Sequence, residues 1–531
     1  SPELRDDGRV YWVADSDNGS VNIKVYKNGQ AGQELASNRN SITLRGFTED
    51  PDTCFAKVIV LISNVNTEES NSVTVTATSF SGLVGSESSV LDDYVNACDP
   101  DYKWEIQSSI HNPVLGVTVT NLKMTTGAWR GLGEVAQTKW EHALTIIEPD
   151  DVKSDTAMLT INGGSTGNEP NGVPAELLPF ATAANTVVAA LYAVPNEPQA
   201  FTGEDATRTE DEIIAKSYGE YLNSFELRKT DITWPALLPM TRSAIRAMDT
   251  VQDYMANDGR VKRNIKNFVV AGASKRGWTT WLTAASDPRV RAIIPIVIDV
   301  LHMDAQMQHQ LNAYGFYAPA VQDYVAENVF DRLDTAAGKS LLKIVDPISY
   351  LNRLNMPKFI ANSTGDQFFL PDSSQFYFDQ LLGDNTLYYA PNTDHGLSSD
   401  VDGIDSNTAK ALLSWYYSII KGIPRPDYTW SFDASNITSV TTNVTPTSVK
   451  LWQANNPTAR DFRLETIGPK WTSTTLTLQN GKYTGTVTAP AKGWTAFFVQ
   501  LTWDGPIADT PFSASTPVRV IPDVYPPASS N

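Results

Sequence analysis

Cysteine is nearly absent: Cys54 and Cys98 are the only two in 531 residues. They allow one disulfide at most, which would pin an N-terminal unit to the start of the next. Basic residues are also in deficit, with 41 Lys and Arg against 60 Asp and Glu and a formal net charge of −19. Nucleic-acid binding rests on cations that neutralise phosphates, so this balance argues against it, and equally against docking on anionic membranes. It would favour cationic partners through long-range steering, screened beyond about 8 Å at physiological salt; solubility alone explains it as well. No run approaches the ~20 apolar residues of a membrane-spanning helix, and no internal repeat stands out. What is present is a 41% apolar content with 13 tryptophans, enough for substantial cores, in a chain long enough for two or three domains.

The pattern along the chain divides accordingly. Residues 1–88 alternate apolar and polar, as in Val21-Asn-Ile-Lys-Val-Tyr26, and predict a small β-sandwich followed by a linker over Ser81–Ser89. From Leu91 to about Tyr428 strands and helices alternate, the pattern of a mostly parallel sheet wrapped in helices. Residues 240–256 read as a helix with Ala244, Met248, Val251 and Met255 on one face. Residues 300–345 lack strand character and are expected to form a helical cap over the site. A helix over Ala409–Lys421 closes the unit, stopped by Gly422 and two prolines. Residues 429–531 are Thr-rich with period-two alternation, in runs such as Thr474-Thr-Leu-Thr-Leu478, and predict a second β-sandwich. The fold class is therefore an α/β-hydrolase core with a cap, flanked by two β domains.

The chemistry is concentrated in Phe268-Val-Val-Ala-Gly-Ala-Ser-Lys-Arg-Gly-Trp278. An apolar strand meets Gly272-Ala273-Ser274 and a helical pattern follows at once, which is how a nucleophile elbow is written. Small neighbours are needed there because the turn is strained. Downstream, Pro357–Gly365 reads as a buried strand with Asp366 at its tip, and Thr386–Ala390 as a strand leading to a loop that carries His395. Nucleophile, acid and base in that order are the α/β-hydrolase order. His395 would take the proton of Ser274, and Asp366 would fix the imidazole tautomer. Asp372 is the competing acid, but Asp366 lies directly at the strand end; Asp394 reads as a loop residue.

The backbone N–H of Lys275 is a candidate oxyanion donor, and its ammonium could reach developing negative charge. Gly164, in the glycine turn Gly163-Gly164-Ser165 after a strand, is the candidate second donor. Arg276 reads as a surface ion-pairing residue. Glu210 and Asp211 could hold the free amine of a peptide; the simpler reading is the first turn of a helix, where acids favour the dipole. His302 and His309 could share a helix face with Asp304, but a metal site needs more ligands in a set geometry, so neither metal nor cofactor is expected. His111 and His142 receive no role, and Trp278 and Trp281 read as core. Asn-x-Ser/Thr triplets begin at Asn18, Asn362, Asn436 and Asn443.

The runs Leu91-Asp-Asp-Tyr-Val, Arg246-Ala-Met-Asp249, Ala271-Gly-Ala-Ser-Lys-Arg-Gly-Trp278, Gly365-Asp-Gln-Phe-Phe-Leu-Pro-Asp372 and Ala459-Arg-Asp-Phe-Arg-Leu-Glu465 resemble the PhoPQ-activated pathogenicity-related proteins over about residues 91–525. The resemblance implies an extracytoplasmic hydrolase-like protein related to dipeptidyl-peptidase-type enzymes. The elbow departs from the usual nucleophile-elbow pattern, which places glycine two residues after the serine: Arg276 lies there and Gly277 follows. Glucuronoyl esterases resemble this variant. The expected function is a secreted or periplasmic serine hydrolase acting on short peptides, with an ester substrate or a non-catalytic signalling role as alternatives. Its oligomeric state is not legible.

Overall fold

The computed structural model describes residues 89–97, 99–168, 174–398, 404–433 and 436–527, together with the backbone of seven strands between Glu3 and Ala77. Those seven strands pair in a three-stranded and a four-stranded antiparallel sheet. Cys54, Cys98 and most of the expected linker lie outside the described residues.

A nine-stranded sheet organises the centre. Its strands are β1 (Lys103–Asn112), β2 (Val117–Ala128), β3 (Lys139–Pro149), β4 (Thr156–Ile161), β5 (Val188–Leu191), β6 (Asn267–Ala273), β7 (Val290–Ile296), β8 (Lys358–Ser363) and β9 (Asn385–Ala390), in the spatial order 9-8-7-6-4-5-3-2-1. β1, β2, β3 and β5 pair antiparallel in succession, and every pair from β5 to β9 is parallel. The parallel strands are buried along almost their whole length, because helices cover both faces. β1, at the sheet edge, is largely exposed and carries Lys103, Glu105 and His111.

The covering helices are α1 (Val90–Asn96), α2 (Leu178–Ala184), α3 (Glu210–Glu226), α4 (Leu237–Asn257), α5 (Lys275–Ser286), α6 (Met303–Tyr314), α7 (Gln322–Ala326), α8 (Ala336–Val345) and α9 (Ser406–Lys421). α4 starts three residues earlier than the apolar spacing predicts. It is buried on its polar side too, where Arg242 meets Asp99 at 3.3 Å and Arg289 meets Asp249 at 2.7 Å. α9 is capped by the Asp405 carboxylate on Thr408 N–H at 3.0 Å and stops at Gly422, whose φ of 63° only glycine adopts readily. α6, α7 and α8, with short 3₁₀ turns between them, fill the chain between β7 and β8 without a strand, where the cap was expected.

After α9 the chain forms two antiparallel sheets. The alternating run Thr474–Leu478 is divided between them: Thr472–Thr475 belongs to one sheet and Leu478–Gln479 to the other. This C-terminal unit touches the loops that follow β8 and β9. Leu464 N–H donates to Gly365 O at 2.9 Å, and Asn392 exchanges bonds of 2.9 Å each with the Trp471 backbone. Among the described residues no helix is long and apolar enough to cross a membrane.

Candidate active site

Ser274 is the single residue between β6 and α5, with φ 56° and ψ −130°. A non-glycine residue is rarely held at positive φ, and the strain is sustained by packing on either side. A Cβ on Gly272 would lie 2.4 Å from Arg276 O, and one on Gly277 would lie 2.9 Å from Gly272 O. Both glycines are thus required by backbone that passes close to itself. Gly272→Ala is expected to cost about 1–3 kcal/mol or more, because backbone rather than a flexible side chain must yield; urea unfolding measures it, and a loss below 0.5 kcal/mol would show a relaxed turn.

The departure at Arg276 has a structural reason. Its guanidinium crosses to the loop after β4, where a Cβ on Gly163 would lie 2.6 Å from Nη2. Arg276 Nε donates to Val194 O at 2.6 Å and Nη2 to Glu210 Oε1. It is a half-buried clamp between loops, not the surface ion pair expected. Gly163 is small for Arg276, and Gly164, at φ 106°, faces open space. Because Ile161 pairs with Gly272, the Gly163-Gly164 turn leaves the sheet beside the elbow.

Asp366 follows β8 and is 4% exposed. Its Oδ1 accepts the N–H groups of Phe368 at 2.7 Å and Phe369 at 3.2 Å. His395 Nδ1 lies 2.9 and 2.8 Å from its two oxygens. A carboxylate only accepts, so Nδ1 carries the proton and Nε2 is the free base. Phe368 lies against the imidazole, ring centroids 4.2 Å apart, and Gln367 Oε1 accepts His395 N–H at 2.9 Å. Nε2 is buried and meets no hydrogen-bond partner, so the contact with Ser274 Oγ is open in this structure.

The remaining expected site residues divide. Lys275 Nζ is paired rather than free: it lies 2.6 Å from Glu210 Oε2 and 2.8 Å from Asp211 Oδ2. Tyr324 Oη donates to Asp211 Oδ1 at 2.9 Å. All four carboxylate oxygens therefore have internal partners. Neither the amine clamp nor the free Lys275 ammonium is present; Glu210 and Asp211 open α3 behind a Thr209–Glu212 capping box. Burial works against Glu210 ionising, but Arg276 and Lys275 outweigh it and hold the carboxyl at about 2. Glu197, which accepts Glu210 N–H at 2.6 Å, is pushed up to about 7 by burial.

Asp372 is committed elsewhere. His309 Nε2 lies 2.9 Å and Arg460 Nη2 2.6 Å from its oxygens, and they depress its pKa against the cost of burial. His309 Nδ1 in turn meets Tyr525 Oη at 2.9 Å. Asp394 accepts Gly396 and Ser398 N–H within its own loop. Among the described residues no cluster of His, Cys, Asp or Glu could hold a metal. His111 pairs with Asp150, and His142 is buried on Tyr192 O, Thr126 and Ser243. Trp281 is core, whereas Trp278 also walls a pocket beside the serine. Asn362 is 3% exposed inside the sheet, so its triplet is not an accessible glycosylation site in the folded chain.

Asp299 was not legible as part of this region. It lies just past β7, receives Asn362 Nδ2 at 3.1 and 3.0 Å, and accepts the Tyr377 hydroxyl. Burial, with a smaller contribution from the Asp366 charge, raises it to about 7. A carboxyl raised from about 4 keeps its proton in the folded state, so stability falls as pH rises from about 4 to about 7, by up to about 1.4 kcal/mol per unit. His142, held neutral down to about 4 by burial, acts in the opposite direction. The readout is therefore a difference: Asp299→Asn should lose about 1–2 kcal/mol less than wild type between pH 5 and 7.5 in urea unfolding. Parallel profiles would show that Asp299 is ionised throughout.

A pocket with about 430 Å³ of empty space, its open mouth included, runs from Ser274 beneath the cap. Its wall includes Trp278, Val300, Met307, Phe330, Phe368 and Phe369. A mixed sheet whose parallel strands feed helices, with a strained serine at one crossover, places the protein in the α/β class, in the arrangement described for α/β-hydrolases.

More particularly, residues 91–463 match the model of the PhoPQ-activated pathogenicity-related protein family, and the chain belongs to that family. The autocrine proliferation repressor protein A of Dictyostelium discoideum is 34% identical over 437 residues, covering 78% of this chain and 85% of that protein. Solved structures with looser likeness include acetyl xylan esterase 1 from Thermoanaerobacterium sp. JW/SL YS485, at 15% identity over 60% of this chain and 88% of that one, TM-score 0.42. A puromycin-hydrolyzing peptidase of Mycobacterium tuberculosis is 13% identical over 69% of this chain and 45% of its own, TM-score 0.32.

Proposed function

We propose that the protein is a serine hydrolase acting outside the cytoplasm by two-step acyl transfer. Ser274 Oγ attacks a carbonyl carbon while its proton passes to His395 Nε2. The bond to the leaving group breaks as that proton is returned to it; water then repeats the sequence and frees the acid. The observation that carries the reading is the His395 ring, bonded to Asp366 through Nδ1 with Nε2 left unpartnered. A buried nitrogen without a partner is costly unless it has a task. The backbone N–H groups of Lys275 and Gly164 are the proposed oxyanion donors.

Short peptides are the first proposed substrates, on the resemblance that links this family to peptidases. The internal pairing of Glu210 and Asp211 removes an amine clamp from that reading. A carboxylic ester is the second, favoured by Gly277 at the third position after the serine. Labelling with a fluorophosphonate probe tests the class, and chromogenic dipeptide amides set against acyl esters test the substrate. Folded wild-type protein that resists the probe would indicate a binding or signalling role on this scaffold.

A further inference from the structure

We infer that the apolar pocket beneath the cap is the acyl-side specificity pocket and takes an uncharged aliphatic or aromatic group; the inference rests on the reading of Ser274 as nucleophile. Position decides which side of the scissile bond it serves. Ser274 lines the pocket directly, whereas His395 borders it only through Phe368 and Phe369, the rings beside the imidazole. The leaving group must receive its proton from His395 Nε2, so it departs on the imidazole side. The group in the pocket is the one that stays on the serine.

Charge decides the chemistry. The pocket's two charged residues, Asp211 and Lys275, are bonded to each other at 2.8 Å, and Tyr324 takes the other Asp211 oxygen. No unpaired charge faces the space, so a carboxylate or ammonium entering it would lose its hydration without compensation. Apart from Ser274 and Tyr324, the rest of the lining is aliphatic, thioether or aromatic. Val300 from the segment after β7 and Met303 and Met307 from α6 are each at most 5% exposed. Two flexible thioethers make this wall adaptable, so a range of apolar shapes should fit.

The test compares 4-nitrophenyl acetate, butanoate, hexanoate and succinate, with a parallel arm of amides bearing Leu, Phe, Asp or Lys at the acyl position to separate ester from peptide sources. Wild type should favour hexanoate over acetate at least tenfold in kcat/KM, and butanoate over succinate more than a hundredfold. Val300→Phe should lower the hexanoate-to-acetate ratio at least tenfold, and Met307→Ala should move the optimum to longer chains; each ratio cancels a general loss of activity. A flat profile in wild type, or ratios unmoved in the variants, would overturn the inference while leaving the nucleophile intact. A second arm needs no catalysis: calorimetric titration of hexanamide into Ser274→Ala, with binding expected and lost on adding Val300→Phe. If hydrolysis and labelling are absent but this binding behaves as stated, the pocket stands and the hydrolase reading fails. Equal binding of hexanamide and succinamate would overturn the pocket.

Discussion

Ser274→Ala is expected to abolish fluorophosphonate labelling and to lower kcat by about a millionfold, leaving the melting temperature within a few degrees of wild type. The hydroxyl makes no hydrogen bond on which the fold depends, and alanine adds no atom to the turn. Asp366→Asn should cost about ten-thousandfold in kcat. The asparagine oxygen can still accept from Phe368 and Phe369, but its amide would face His395 Nδ1 with a donor. The ring would then carry its proton on Nε2, where Ser274 needs a base. Asp372→Asn serves as the control. It breaks the contacts to His309 and Arg460, so it should lower stability while leaving kcat within about tenfold. Activity lost in Asp372→Asn and kept in Asp366→Asn would reverse the assignment of the acid.

Ser274, Asp366 and His395 could be picked out from sequence because each follows an apolar run that reads as a strand. A polar residue just past such a run stands at the sheet's C-terminal edge. Glycines and alanines marked the tight turn for the same reason. Side-chain partnerships were not legible, because they depend on loops brought together from far along the chain. Lys275 meets Glu210 and Asp211 from α3, and Arg276 lies on Gly163 after β4. Seen alone, each is a charged residue with no stated direction. Asp299 was hidden by its setting: it ends the apolar stretch from Ala292 and looks like an ordinary loop acid until Asn362 and Tyr377 close on it. The C-terminal unit's bearing on the site was hidden likewise. Gly365, next to Asp366, has Leu464 against it, and Arg460 pairs with Asp372.

Gln310 ties α6 to the loop beside His395. Its amide donates to Phe368 O at 2.8 Å and accepts Ala318 N–H at 2.7 Å, joining α6 to the aromatic ring that lies on His395. α6 and the loop that follows Asp366 are thus one hydrogen-bonded unit.

The largest stability effect is expected at Lys275, and it follows from burial. The ammonium side chain is 8% exposed and compensates two carboxylates, of which Asp211 is 15% and Glu210 39% exposed. Lys275→Met keeps the length of the side chain and removes the charge. Asp211 would then be left with the Tyr324 hydroxyl as its remaining partner, and Glu210 with Arg276. Breaking one side of a buried pair costs about 3–5 kcal/mol. Glu210 is only partly buried, is the more exposed of the two and keeps Arg276, so most of the loss falls on Asp211. The signature lies in the repair. Adding Asp211→Asn to Lys275→Met should recover at least half of the lost stability in urea unfolding, because a neutral amide in the same place no longer needs a cation. Adding Glu210→Gln instead should recover little, since Arg276 would then lose its own partner. A Lys275→Met variant that loses less than 1 kcal/mol would mean that water reaches the cluster, and the pocket beside Ser274 would then be open to charged groups as well.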